Sequence, residues 1–253
     1  MVALVTLSRP KVRNAFDETM IAEITDVFRR LAKIEALRVI VLTSTGPAFC
    51  AGADLNWMRK MAGYAHGENL ADAMKLAEML HAVDTCPQPV IARVQGDAFA
   101  GGLGLVSTAD IVIAEKMARL CLSEVRLGLL PATISPYVIR AIGEQAARRY
   151  FLTAEVFDAV KGYELGLVHE AVSMDELDNA VNTLVDALVR NSPQAVRECK
   201  RMVREVAGRP LNRALMEDTA GRIAEGKEGV QAFLEKREPA WRNSIVELIH
   251  KDE

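Results

Sequence analysis

"AFAGGLGLVSTADIVIA" (residues 98–114) follows the apolar run "VIARV" (Val90–Val94), places three glycines within four positions and then enters a second apolar run. Two readings compete for it. In the first, the glycines are a broken G-x-G-x-x-G of a dinucleotide-binding βαβ unit, and Glu124, twenty residues past Gly104, is its ribose-binding acid. That acid should end the next strand of the unit. Instead "DIVIA" begins at Asp110, leaves room for about two turns of helix, and ends beside Glu115. In the second reading the turn is small so that a ligand can approach the main chain, where the first amides of a helix have no partner. The spacing favours the second, and with it an α/β chain that is not a nucleotide fold.

Working outward, "TGPAFCAGADLNWM" (residues 45–58) repeats the arrangement: the buried strand "RVIVLTS" (Arg38–Ser44), a turn of small residues at Ala51, Gly52 and Ala53, and the start of a helix. Small residues also let a helix pack closely on a sheet, which is the structural alternative for either loop alone. Two such loops after neighbouring strands can aim two N–H groups at one oxygen, which is the arrangement of an oxyanion hole.

The rest of the chain continues the α/β alternation. Val2, Leu4, Val5 and Leu7 form a strand closed by Arg9 and Pro10, and Asp17 caps a helix whose Met20, Ile24, Phe28 and Leu31 recur on one face. An amphipathic helix runs through Leu76 and Leu80 to a break at Pro87 and Pro89. "DIVIA" and "ARLCLS" are short strands, and Ser135 and Pro136 open the helix "SPYVIRAIG". From Ser173 the pattern is helical: "SMDE" reads as a capping box for a helix to about Asn191, Ser192 and Pro193 start another, and two further stretches cover residues 211–237. We divide the chain into a core, 1–190, and a helical region, 191–253.

With 253 residues, half of them hydrophobic, the chain can bury a large core. Its 31 basic and 34 acidic residues are interspersed and leave a net charge of -3, so nothing gathers nucleic acid. Cys50, Cys86, Cys121 and Cys199 have no paired spacing, and three lie among apolar or small residues, as expected in a reducing cytoplasm. The opening "MVALVTLSRP" lacks the form of a signal peptide and no apolar run is long enough to span a bilayer, so the expected location is cytoplasmic, with no membrane partner.

"FCAGADL" (Phe49–Leu55), "GDAFAGGLGL" (Gly96–Leu105), "LSEVRLGLLP" (Leu122–Pro131) and "AFLEKREPAW" (Ala232–Trp241) occur in an order that resembles the enoyl-CoA hydratase/isomerase superfamily, the crotonases, over essentially the whole chain. "AGADLNWMRKMA" and "LCLSEVRLGLLPATISPYVIRAIG" most resemble its 3-methylglutaconyl-CoA hydratases, of leucine and acyclic terpene breakdown. The resemblance implies an α/β fold, the crotonase spiral of ββα turns, with a helical C-terminal region packed between subunits of a homotrimer or a dimer of trimers. It implies that the amides of Ala51 and Gly101 hold the thioester oxygen of an acyl-CoA. Gly52, Ala53, Asp54 and Leu55 continue the substrate-binding loop, with Asp54 fixing it, and Phe233 and Lys236 reach the adenine and phosphates of coenzyme A in a neighbouring subunit. No metal or redox cofactor is implied, because coenzyme A enters as part of the substrate.

Charge that develops on a thioester oxygen is best met by preorganised amides, and protons are then moved by a carboxyl tuned by an apolar cleft. Glu124, among Leu120, Leu122, Val125 and Leu127, is that carboxyl by its place in the family motif. Typical hydratases of the family carry a second glutamate where this chain has Gly104. Asp97 and Ser123 are the nearby substitutes to weigh. The expected reaction is hydration of a 2-enoyl-CoA, 3-methylglutaconyl-CoA by resemblance. A Δ3,Δ2-enoyl-CoA isomerase using Glu124 alone is the alternative, and a weakly catalytic acyl-CoA- or RNA-binding protein is a third. Arg126 and Lys60 are candidates for holding a distal substrate carboxylate. His66, His81, His169 and His250 show no ligand spacing, Cys50 reads as a filler, and Trp57, Met58 and Met61 read as core.

Overall fold

Every residue of Val39–Ser44 is buried, as a parallel strand covered on both faces must be. In the computed structural model, which describes residues 1–210, 212–220 and 226–242, this strand is β2 of a five-stranded parallel sheet. Its neighbours are β1 (Val2–Leu7), β4 (Val90–Val94), β6 (Ile111–Glu115) and β9 (Glu170–Val172), in the order β1-β2-β4-β6-β9. Alternate residues face two cores: Ile40 and Leu42 join the main core, while Val39 and Val41 meet Leu177 and Val181 of α7 (Leu177–Arg190).

A second sheet has the order β3-β5-β7-β8, formed by β3 (Ala48–Cys50), β5 (Asp97–Phe99), β7 (Arg119–Cys121) and β8 (Phe157–Asp158), with only β8 antiparallel. Each of β2, β4 and β6 thus runs on into a short strand of this sheet. The sequence reading has β7 but takes β3 and β5 as loops. Both are three residues long, too short to display alternation.

The helices that cover the main core are α1 (Glu18–Leu31) and α3 (His66–Asp84), joined by α2 (Leu55–Met61), α4 (Gly101–Val106) and α5 (Ser135–Thr153). Asp17 caps α1 as expected, its Oδ1 accepting from the Met20 N–H at 2.8 Å, and Met20, Ile21, Ile24 and Phe28 turn inward. The helix expected at Ser135–Gly143 is the first half of α5, which breaks at Gly143 (φ 74°) and resumes. α6 (Ala159–Glu164) precedes β9. The Ser173 hydroxyl and N–H do meet the Glu176 carboxylate, but in the turn ahead of α7, which starts at Leu177 and not at "SMDE".

Ser192 caps α8 (Pro193–Val206), and α9 (Arg213–Ala220) and α10 (Gly226–Glu235) follow. α8 docks through cations: Arg197 on the Glu35 and Leu37 carbonyls, Lys200 on Asp110 at 2.6 Å and the Gln88 carbonyl at 3.2 Å, and Arg204 on the Asp84 carbonyl. Among the described residues no helix is long and apolar enough to cross a membrane.

Candidate active site

The ends of β3, β5 and β7 lie side by side. Cys50 pairs with Ala98 and Phe99 with Cys121, and adjacent strands are about 4.8 Å apart. The residues that leave these ends are Ala51–Asp54, Ala100–Gly101 and Leu122–Glu124, so three stretches distant in sequence emerge within roughly two strand spacings. Side chains would keep the first two apart. A Cβ on Gly52 would lie 3.1 Å from the Phe99 carbonyl oxygen, and one on Gly102 would lie 2.3 Å from that of Cys50. Ala100, at φ 48° and ψ -122°, holds a backbone conformation that costs a non-glycine residue about 1–3 kcal/mol, and its N–H donates to the Cys121 carbonyl at 2.8 Å. That strained turn delivers Gly101 as the first residue of α4.

Which amides are spare follows from the hydrogen bonds. The Ala51 N–H donates to the Arg13 carbonyl at 3.0 Å, so the expectation that it faces a ligand is corrected: its hydrogen is already engaged. The Gly52 N–H meets the Cys50 sulfur, and the Ala53 amide is a free one. The Phe16 N–H donates to the Gly52 carbonyl at 2.7 Å and the Asp54 N–H to the Phe16 carbonyl at 2.8 Å, forming a parallel bridge at Ala53. Successive extended residues direct their N–H groups to opposite sides, so that of Ala53 points away from Phe16 and has no acceptor among the described residues. The Gly101 N–H, at the start of a helix, has none either. Both residues are half-buried, so a ligand atom can reach them.

Glu124 opens a 3-10 turn (Glu124–Leu127) directly after β7. One of its carboxylate oxygens, Oε2, is buried with no hydrogen-bond partner. Burial pushes this carboxyl above the ordinary glutamate range, and a hydrogen bond from its own backbone amide only partly opposes that. A carboxyl so placed binds a proton more readily than a solvated one and can both take and return it.

Of the two substitutes for a second acid, Asp97 is engaged elsewhere. Asp97 grips Arg119, accepting from Nη2 at 2.5 Å and from Nε and the backbone N–H at 3.1 Å each. Burial alone would raise its carboxyl, but these bonds hold it below the ordinary value. At Gly104 the space is filled: a Cβ there would lie 2.1 Å from Cγ2 of Ile134, a contact nothing in the sequence announced.

Asp54 is buried, accepts from the Asn56 N–H at 2.8 Å to cap α2, and faces Arg9 at 3.4 Å, while Leu55 beside it is exposed. Trp57 is core, with its indole N–H on buried Asp72, and Met58 and Met61 are half-buried. The Cys50 thiol is wholly buried and pushed up to about 12 by desolvation, as befits a filler. Lys60 pairs with Glu18 and Arg126 donates to the Ala154 carbonyl at 2.5 Å. Phe233 on α10 is 81% exposed and Lys236 follows that helix. His169 accepts from the Val112 N–H, and His250 lies outside the described residues. The sequence reading misses Arg9, Arg13, Asn14 and Phe16, which carry no local signal because each acts on loops thirty or more residues away.

Comparison with known proteins follows the same lines. The family model for enoyl-CoA hydratase/isomerase matches residues 1–244. The crystal structure of an enoyl-CoA hydratase from Shewanella pealeana superposes with a TM-score of 0.91 at 46% identity, covering 95% of this chain and 92% of that one. Pseudomonas aeruginosa AtuE superposes with a TM-score of 0.90 at 33% identity, over 95% of each chain. The mevalonyl-coenzyme A hydratase sidH of Aspergillus fumigatus is 34% identical over 252 residues, 96% of this chain and 92% of that protein.

Proposed function

The chain belongs to the enoyl-CoA hydratase/isomerase family, an enzyme of the crotonase α/β fold with hydratase-type activity, and from that premise we propose that it adds water to a 2-enoyl-CoA branched at C3, of the 3-methylglutaconyl-CoA type. The observation that carries this is the meeting, at three adjacent strand ends, of two unengaged amides and one buried, unpartnered carboxyl oxygen. The thioester oxygen accepts from Ala53 and Gly101, which stabilise it most when it becomes enolate-like, and each such donor is worth about a hundredfold to a thousandfold in rate. Glu124 takes a proton from water as its oxygen attacks C3, then returns that proton to C2. One carboxyl serves both steps.

The C3 branch is supported by the sidH relative, named for mevalonyl-coenzyme A, whose acyl group also carries a methyl at C3. A distal carboxylate finds its cation in Arg126, two residues beyond Glu124, which keeps further guanidinium donors besides the one on Ala154. Lys60 is spent on Glu18. The exposed ring of Phe233, with Lys236, meets coenzyme A bound to a neighbouring copy in a trimer or dimer of trimers, coenzyme A being part of the substrate.

With Glu124 as the one acid–base group of the proposed site and Gly104 in place of a second glutamate, a second reading is proton transfer between C4 and C2 of a 3-enoyl-CoA. Turnover of 3-methylglutaconyl-CoA, crotonyl-CoA and a 3-enoyl-CoA in ¹⁸O-labelled water separates the two. Hydration gives product heavier by one labelled water. Product of unchanged mass with a shifted double bond establishes the isomerase instead.

A further inference from the structure

We propose that Phe16 is the positioning residue that sets the separation of the two amides, an inference that rests on the reading of Ala53 and Gly101 as the thioester's hydrogen-bond donors. Phe16 grips both loops from outside them. Its backbone bonds to Gly52 and Asp54, either side of Ala53, and so fixes the direction of the Ala53 N–H. Its ring bears on the other loop: Cε2 and Cδ2 lie 3.2 and 3.3 Å from where a Cβ on Gly101 would be. The loops touch each other at Gly52 and Gly102, and Phe16 adds a contact that joins the Ala53 main chain to Gly101.

The segment that carries Phe16 is itself fixed. Asn14 is fully buried at φ 55°, accepts from the Arg9 N–H at 2.7 Å, and donates to the Thr45 and Ala48 carbonyls at 2.8 and 2.9 Å. The Arg9 guanidinium holds the Ala15 carbonyl at 2.7 Å, Asp17 at 2.8 Å and Asp54 at 3.4 Å. Phe16 is held in place, and a shorter side chain there removes the ring that lies against Gly101. Donors must sit about 2.7–3.1 Å from the developing oxyanion, and a misplacement of about 1 Å can cost about a hundredfold.

The test compares full-length wild type, Phe16→Leu, Gly101→Ala and the double variant. Its probe is butyryl-CoA labelled with ¹³C at the thioester carbonyl, which binds without reacting. Hydrogen bonding lowers the carbonyl stretching frequency, read by isotope-edited infrared difference spectroscopy. Wild type should show the downshift. Phe16→Leu should reduce it and lower kcat about ten- to hundredfold, with KM changed far less. Gly101→Ala alone should also reduce it, because the new methyl presses on the ring. In the double variant that methyl meets the shorter side chain, so both readouts should recover in part. Should Phe16→Leu fail to fold, Phe16→Met, closer in length, takes its place. A wild-type frequency and kcat in a variant that is only less stable would show Phe16 to be core filler and overturn the proposal. No downshift in the wild type would instead remove the oxyanion reading, and the proposal with it.

Discussion

Replacing Gly104 by alanine should destabilise the protein far more than a single methyl normally does. The new Cβ would stand 2.1 Å from Ile134 Cγ2 and 2.6 Å from its Cβ. Ile134 is 1% exposed, and Leu103 and Leu105 beside the mutation are fully buried, so no free space receives the excess. To reach an ordinary contact of 3.4 Å, Cγ2 must retreat by about 1.3 Å, and because Cβ also clashes, rotation about χ1 does not suffice and backbone must move. Overpacking costs about 1–3 kcal/mol, and the backbone shift places this case near 3 kcal/mol. At about 2–4 °C per kcal/mol for a chain of this size, Tm should fall by roughly 6–12 °C. Urea and thermal unfolding measure it, and a double-mutant cycle assigns it. Ile134→Ala, which removes Cγ2 but keeps Cβ, should relieve part of the added cost, and Ile134→Gly most of it. An unchanged midpoint for Gly104→Ala, or strictly additive effects of the two positions, would refute the packing account. A glutamate at position 104 shares the same Cβ, so a second carboxyl cannot be supplied from α4 unless Ile134 is cut back as well.

Glu124 holds its proton to a higher pH when folded than when unfolded, so wild type should lose stability as pH rises from the ordinary glutamate range through the raised value and stay penalised above it. Glu124→Gln should therefore be more stable than wild type at pH 7, with the gap closing below about pH 4, while hydration is lost and butyryl-CoA affinity is kept; equal urea midpoints at all pH values would contradict this. The wild-type kcat/KM should have an acid limb above the ordinary glutamate range. Asp97→Asn, which loosens a partly exposed pair with Arg119, should leave kcat within about threefold and cost about 1 kcal/mol or less; a large loss of rate in a folded variant would make Asp97 the second acid. In the native state, iodoacetamide at pH 8 should modify exposed Cys199 and spare Cys50, whose thiol is pushed up to about 12, as peptide mass analysis would show.

The long elements were legible because their signals are local. Asp17 and Ser192 cap the helices they precede, and β2 reads as buried because it is apolar throughout. The three-residue strands were not, since three residues cannot display a period and their partners lie elsewhere: Cys50 pairs with Ala98 and Phe99 with Cys121. The candidate site could be proposed from the sequence to the level of the loop and the carboxyl, through small residues after strands and a glutamate in an apolar setting. It was not legible to the level of the atom. Whether Ala51 or Ala53 has a spare hydrogen depends on the Arg13 carbonyl and the Phe16 bridge, contributed by a segment nearly forty residues earlier. Gly104 read only as the place of a missing glutamate, whereas its hydrogen faces Ile134.

Each pass of the chain lays one strand in the large sheet and the next in the small one: β2 then β3, β4 then β5, β6 then β7. Such a stack behaves energetically like a short solenoid, in which a layer leans on its nearest neighbours and the ends fray first. The β4–β5 layer, from which Gly101 emerges, has a neighbour on both sides in both sheets, and the Ala53 and Glu124 layers flank it. Gly101 and Glu124 thus leave strands with a neighbour on both sides in the small sheet, whereas Ala53 follows its edge strand β3 and is held instead by the Phe16 bridge. Insertions or remodelling at the outer layer of β9 with α7 can be absorbed there without reaching the chemistry. Remodelling of the β1–α1 connection is not absorbed in this way, because through Arg13 and Phe16 it reaches the Ala51–Asp54 loop directly.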